Sequence, residues 1–378
     1  MKCMKRYVNW MVAGMLATHM ALAPAQTKDA APKVLLVVSS EGRDAGKTRP
    51  GFEMDEFAMS WLVLRANGLA VEVASPAGGA PEADRYNKDD DYNRAVLADT
   101  DAMAALANTR RTANVKPGEH AAILVLGGKG AMFDLPKDPA LQALLAAQAE
   151  RGAIVAGVCH GPAAFAHVKR KDGTALVQGR RVTGFTDEEE AVFGKKWVKE
   201  FPFLLESRLR EAGAKWEEAS LMMPKLVVDG RFITGQNPFS TTQVAEAIVK
   251  ALGREPVARK PFRDEASMQL ALRWLAEDRD AVAKQLAAAP GQYKMELIAM
   301  LGYYQFKSAG DDAMRRQGLS LMLLAEPHFD HEQLKLGIAS AQAALGQPGL
   351  ARERVKRLLA QKPESAEAKQ LLASLSSP

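Results

Sequence analysis

Apolar residues fall into short continuous runs along residues 33–253, separated by segments of helical period. VLLVVSS (34–40), AAILVLGG (121–128) and AIVAGV (153–158) are too short for buried helices and rich in β-branched residues, which predicts fully buried strands. LAVEVAS (69–75) alternates like a strand and ends at Pro76. Amphipathic helices are predicted at 53–67, closed by Asn67-Gly68, and at 138–151. LVVDGRFITG (226–235) reads as a hairpin turning at Asp229-Gly230, and a last helix runs from about Ser240 to Leu252. Near-continuous apolar strands alternating with helices predict an α/β fold, a doubly wound parallel sheet of flavodoxin-like type covered on both faces.

Three segments depart from this rhythm. Residues 77–118 are polar and carry the acidic run Asp89-Asp90-Asp91, so they are expected to form a solvated flap. REPVARKPFRDEA (254–266) reads as a linker. Beyond it, residues 262–378 shift to Ala, Leu, Gln and Arg with helical period. They are expected to form a small, separable all-α domain of about five helices, whose stretch 346–375 resembles a tetratricopeptide unit with Pro363 at its turn. At the other end, residues 1–25 have a basic start, an apolar run from Val8 to Ala23 and Ala23-Pro24-Ala25. That is the pattern of a signal peptide cleaved before Gln26, which implies a periplasmic or secreted protein with its α/β domain at 26–255.

Charge narrows the partners. The formal charge of +5 falls to +2 once Lys2, Lys5 and Arg6 of the leader are removed, and no basic run is interleaved with aromatics, so nucleic acid is not an expected partner. Of the two cysteines, Cys3 lies in the leader, which leaves Cys159 as the one thiol of the mature chain. His120, His167, His328 and His331 show no metal-ligand spacing with a third ligand, so no metal or cofactor is expected.

The chemistry points to Gly157-Val158-Cys159-His160-Gly161-Pro162, where a buried strand runs straight into a predicted helix. This G-x-C-x-G is the thiol counterpart of a nucleophile elbow. The turn strains the backbone at Cys159, small residues two positions either side avoid clashes, and a helix N-terminus would favour a thiolate near neutral pH. Gly127-Gly128-Lys129-Gly130 follows another buried strand and offers backbone N–H groups for an oxyanion hole at Gly128, Lys129 and Gly130.

These pieces, with GFEMDEFAMSWLVLRANGLAVEVASPAGG (51–79), VTGFTDEEE (182–190), FPFLLESRLREAGA (201–214) and DGRFITGQNP (229–238), resemble the ThiJ/PfpI superfamily, also called class I glutamine amidotransferase-like. The resemblance is strongest to its chaperone-like glyoxalase III branch and covers about 220 residues, leaving out the leader and the segment after about 255. It implies that Cys159 is the nucleophile, His160 its adjacent histidine, Glu190 in the run Glu188-Glu189-Glu190 the third triad member, and Glu56 a buried acid bonded to the sulfur. Lys129 departs from the family's histidine. The resemblance further implies conversion of a small reactive aldehyde, methylglyoxal, to lactate without glutathione or metal. A Cys–His amidase or peptidase, or a non-catalytic chaperone with a protein partner on its C-terminal helices, is the alternative, and a homodimer is compatible with either. A glutamine amidotransferase is disfavoured, because no histidine lies between His167 and His328 to serve that family's downstream pair.

Overall fold

The computed structural model describes residues 31–276 and 278–376, so the leader and its cleavage site lie outside the described residues. The strands are β1 (Lys33–Val37), β2 (Ala70–Ser75), β3 (Arg110–Arg111), β4 (Ala122–Val125), β5 (Ile154–Val158), the paired β6 (Arg181–Val182) and β7 (Lys215–Trp216), then β8 (Leu226–Asp229) and β9 (Phe232–Gly235). Seven form one sheet in the order β3-β2-β1-β4-β5-β9-β8, parallel except for β8, which pairs antiparallel with β9 through the turn at Gly230. The central strands β1, β4 and β5 are apolar on both faces because helices cover both. Val34 through Val38 and Ala122 through Leu126 have no solvent exposure.

Helices α1 (Met54–Ala66), α2 (Asp91–Ala98), α3 (Thr100–Ala107), α4 (Pro139–Glu150), α5 (Asp187–Phe193), α6 (Leu205–Glu211) and α7 (Thr241–Ala251) belong to this part. The polar insertion is not a solvated flap. It folds into α2 and α3 and supplies edge strand β3, burying Tyr92, Val96 and Ala102, while Trp61 Nε1 donates to Asp99 Oδ2 at 2.9 Å. Its acidic run is partly interior: Asp90 is buried and pairs at 2.5 Å with Lys294. Apolar residues spaced at helical intervals were masked in the sequence by the acids between them.

Among the described residues, the C-terminal part has seven α-helices where about five were expected: α8 (Arg263–Leu275), α9 (Arg279–Ala288), α10 (Met295–Ser308), α11 (Asp312–Ala325), α12 (Glu332–Ala344), α13 (Pro348–Gln361) and α14 (Ala366–Ser376). Helices α10 and α11 meet at glycines. A Cβ on Gly302 would sit 2.7 Å from the Gly318 carbonyl oxygen, and one on Gly318 equally close to that of Gly302, so each glycine is what lets the two backbones approach. Residues 346–375 give α13 and α14 with Pro363 in the turn between them, packed on α12 around Ala351, Val355, Leu358 and Ala368.

The core of these helices is not theirs alone. Leu221, Met222 and Met223 of the α/β part are buried in the same cluster as Met268, Ile298, Leu321 and Ile338, and Gln305 Nε2 donates to the Leu221 carbonyl. The segment between the two parts is pinned as well: Val257 N donates to Asn67 Oδ1 at 2.8 Å, and Arg259 pairs with Glu246 and Glu265. Among the described residues, no helix is long and apolar enough to cross a membrane.

Candidate active site

Strand β5 delivers Cys159 to the carboxyl edge of the sheet, where an open α/β sheet binds ligands. Cys159 has φ +58°, the left-handed conformation that an elbow imposes and that a residue with a Cβ adopts only under constraint. The flanking glycines make room for it. A Cβ on Gly161 would stand 2.1 Å from the Val125 carbonyl oxygen, and one on Gly127 within 2.8 Å of Cys159 Cβ. The expected helix after the elbow is a five-residue 3-10 turn, Gly161–Phe165. It is too short to carry much of a helix dipole, so that source of thiolate stabilisation is withdrawn.

A hydrogen-bonded chain runs from the sulfur. Cys159 Sγ lies 3.2 Å from His160 Nδ1, and His160 Nε2 lies 2.6 Å from Glu190 Oε1. All three are interior, with exposures of 3%, 2% and 1%. The imidazole is stacked on Phe185, centroids 4.4 Å apart, which fixes its plane. Within the acidic run, Glu188 is exposed, Glu189 closes the capping box of α5 with Thr186, and Glu190 is the residue that meets His160.

Glu56, 0% exposed on α1, lies behind the sulfur. Its Oε2 accepts the Gly127 N–H at 2.6 Å, while Oε1 is buried without a hydrogen-bond partner, and the side chain interacts with the Cys159 thiol. Burial pushes Glu56 well above the usual carboxylate range, and the neighbouring Glu53 adds to the effect. Burial also pushes the Cys159 thiol up, and the carboxylates of Glu56 and Glu53 raise it further when ionised. Both effects run against the expectation of a thiol already ionised near neutral pH. The surroundings favour the protonated sulfur.

The glycine loop contributes differently from the sequence expectation. Gly130 N–H is committed to the Gly51 carbonyl at 3.0 Å, and a Cβ there would strike Pro50 O, so Gly130 is a packing residue and not an oxyanion donor. Gly128, at φ +89°, and Lys129 keep backbone N–H groups without a protein acceptor among the described residues. So does His160, a donor missed in the sequence although the residue after an elbow nucleophile is a natural one.

These groups line a cavity of about 220 Å³ that also includes Glu53, Glu189, Met222 and Asn237, with Phe185, Phe193, Phe239 and Met300 forming its apolar wall. Glu189 is pushed up to about 7 by burial, against hydrogen bonds from Asn237 and the backbone, and Glu53 to about 8 by burial and the adjacent Asp55. Met222 is held at φ +64°, with its N–H on Glu189 Oε1 at 3.2 Å. Met300, from α10, is out of reach of any local motif. Among the described residues, one grouping has metal-type donors close together, Glu72, Glu119 and His120. It lies elsewhere, and Arg110 pairs with both of its carboxylates while Lys33 also pairs with Glu72.

The match to the DJ-1/PfpI family model spans residues 48–251. The chain belongs to the DJ-1/PfpI family. Within this family it is 28% identical over 235 residues to glyoxalase 3 of Candida albicans, a match covering 58% of this chain and 98% of that protein. It is 29% identical over 249 residues to the glutathione-independent glyoxalase HSP31 of Saccharomyces cerevisiae, with the same coverage. Among solved structures, glyoxalase III of Candida albicans aligns with TM-score 0.54 and 26% identity, covering 58% of this chain and 97% of that one. The Rapid Encystment Protein 24 KDa of Francisella tularensis aligns with TM-score 0.55 and 29% identity, covering 58% and 99%. Helices α8–α14 lie beyond the family match.

Proposed function

We propose that this protein is a glutathione-independent glyoxalase that converts a 2-oxoaldehyde and water to the 2-hydroxy acid, with Cys159 as nucleophile. The observation that carries the reading is the buried chain Cys159–His160–Glu190, its cysteine at φ +58° on the edge of a small cavity. The relatives named as glyoxalases support the reaction class.

With Glu190 accepting from Nε2, the free Nδ1 takes the thiol proton as sulfur adds to the aldehyde carbon. The new alkoxide is steadied by backbone N–H groups of Gly128, Lys129 and His160 and receives that proton, giving a neutral hemithioacetal. His160 then removes the hydrogen from the former aldehyde carbon and returns a proton to the neighbouring carbon through an enediol. The ketone becomes a hydroxyl and the first carbon a thioester, with no external oxidant. Water attacks the thioester, the C–S bond breaks, and the sulfur recovers its proton. Glu56 anchors the Gly127 N–H and faces the sulfur throughout. Residues 1–25 fit an exported enzyme, whose mature chain would begin at Gln26.

The test is turnover of methylglyoxal to lactate without glutathione. Wild type should be active and Cys159→Ser slower by about 10³-fold or more. Absence of turnover in wild type, or retention of it in the serine variant, overturns the reading.

A further inference from the structure

Beside the catalytic cavity lies a second and larger one, of about 690 Å³. Glu53, Pro238, Phe239 and Met300 line both, so the two share a wall. The far side is built by the C-terminal helices and is largely apolar, with Leu297, Tyr303, Tyr304, Phe329 and Leu334. Methylglyoxal has five non-hydrogen atoms. At roughly 30 Å³ per water-sized group it needs on the order of 150 Å³, which the inner cavity alone can supply. The larger chamber is unnecessary for that substrate.

The shared wall is adaptable at Met300. Met300 is 42% exposed, and an unbranched thioether adapts its shape at little cost. Charge at the chamber limits what can enter. Glu53, Asp55, Asp264, Glu265 and Glu296 border it, while its lysine, Lys294, is engaged by Asp90 and Asp264. An anionic substituent would meet a carboxylate-rich border; an uncharged one would meet aromatic and aliphatic walls.

We propose that the preferred substrates are 2-oxoaldehydes bearing an uncharged apolar group larger than methyl, aromatic above all, which passes Met300 and Phe239 into the outer chamber while the dicarbonyl stays at Cys159. This rests on the glyoxalase reading above. The substituent is a spectator: sulfur addition, the proton shift between the two carbons and thioester hydrolysis balance as before, with one water consumed. The C-terminal helices are thereby a specificity element of the active site.

The experiment compares kcat/KM for methylglyoxal and phenylglyoxal, without glutathione, in the full-length protein and in Met300→Trp and Phe329→Ala. An added apolar group in a fitting pocket is worth about tenfold or more. Wild type should therefore favour phenylglyoxal at least tenfold. Met300→Trp, which plugs the junction, should lower the phenylglyoxal-to-methylglyoxal ratio by at least tenfold, and Phe329→Ala, which removes a far wall, should lower it severalfold. Unchanged circular dichroism keeps either loss interpretable, and Phe329→Ala stands as the second variant should the tryptophan disturb folding. Wild-type preference for methylglyoxal, or an unchanged ratio in both variants, overturns the inference while leaving the glyoxalase reading intact. No turnover of either aldehyde overturns both.

Discussion

Replacing Glu56 by glutamine isolates the group that governs the sulfur. The amide carbonyl can still accept the Gly127 N–H that Glu56 Oε2 now accepts at 2.6 Å, and the amide NH₂ can face the thiol, so the architecture is retained. What disappears is an ionisable carboxyl against a buried thiol. Two like charges about 4 Å apart at an effective dielectric near 20 repel by about 4 kcal/mol. That is about 3 pH units on the thiol if the carboxyl ionises fully, and less if it keeps its proton part of the time. Burial, which also raises the thiol, is unchanged by the substitution. The midpoint of Cys159 alkylation by iodoacetamide should therefore fall by at least one unit in Glu56→Gln relative to wild type. The label is assigned by mass spectrometry to the peptide carrying Cys159, because Cys3 is the chain's other cysteine. A midpoint that stays put or rises would refute the claim that the Glu56 carboxylate holds the thiol protonated.

Three further outcomes follow from packing. Lys294→Met leaves the carboxylates of Asp90 and Asp264 without their cation and should cost about 3 kcal/mol at pH 8. Burial already raises Asp264, and losing Lys294 raises it more; a carboxyl raised in the folded state destabilises only when ionised, so the deficit in Tm must shrink toward pH 5, and one that is constant or widens contradicts this. Gly161→Ala places a methyl 2.1 Å from Val125 O and should cost about 2–3 kcal/mol, read as a Tm drop of roughly 3–4 °C for a chain of this length, whereas Gly291→Ala, with nothing within 4 Å, should be near neutral; equal effects would sink the steric account. Ending the chain at residue 261 uncovers Leu221, Met222 and Met223 and strips Met300 from the cavity, so the shortened protein should lose solubility and at least tenfold in kcat/KM; a soluble, fully active product would show that the shared core is dispensable.

The sheet and the elbow were legible because their signals are local. β4 and β5 are runs of four and five residues with every side chain buried, and G-x-C-x-G is a steric requirement written into adjacent positions. Glu56 and Glu190 were reachable through the family resemblance, since nothing local separates Glu190 from Glu188 and Glu189. The buried sides of these acids depend on where α5 sits over His160, which is a tertiary fact. Gly130 was misread for a related reason: whether its N–H is free depends on Gly51, seventy-nine positions away, approaching to 3.0 Å. Asp90 looked solvated because its counterion, Lys294, comes from α10's approach some two hundred residues later. Met300 and the shared core around Met222 were invisible in the same way, because α/β and helical segments each read as self-sufficient.

The cavity's charge state explains why such a roof belongs there. Glu53, Glu56 and Glu189 all face or adjoin the sulfur's surroundings, and burial raises each of them, to about 8 for Glu53 and about 7 for Glu189. A raised carboxyl in the folded state contributes no penalty below its unfolded value near 4.3 and an increasing one as pH climbs through the folded value. Near neutrality Glu53 and Glu189 therefore keep part of their proton complement, and the negative charge around the thiol is smaller than three full carboxylates would give. In the proposed reaction that environment would spare the hemithioacetal and enediol oxygens part of the anionic repulsion. It depends on burial, since solvation would return the acids to ordinary values. Phe239, Met222 and Met300 line the cavity, and Met222 is held in the core that the C-terminal helices complete. The C-terminal helices contribute to that burial through the core they share with Met222, beside Glu189, whose Oε1 accepts the Met222 N–H.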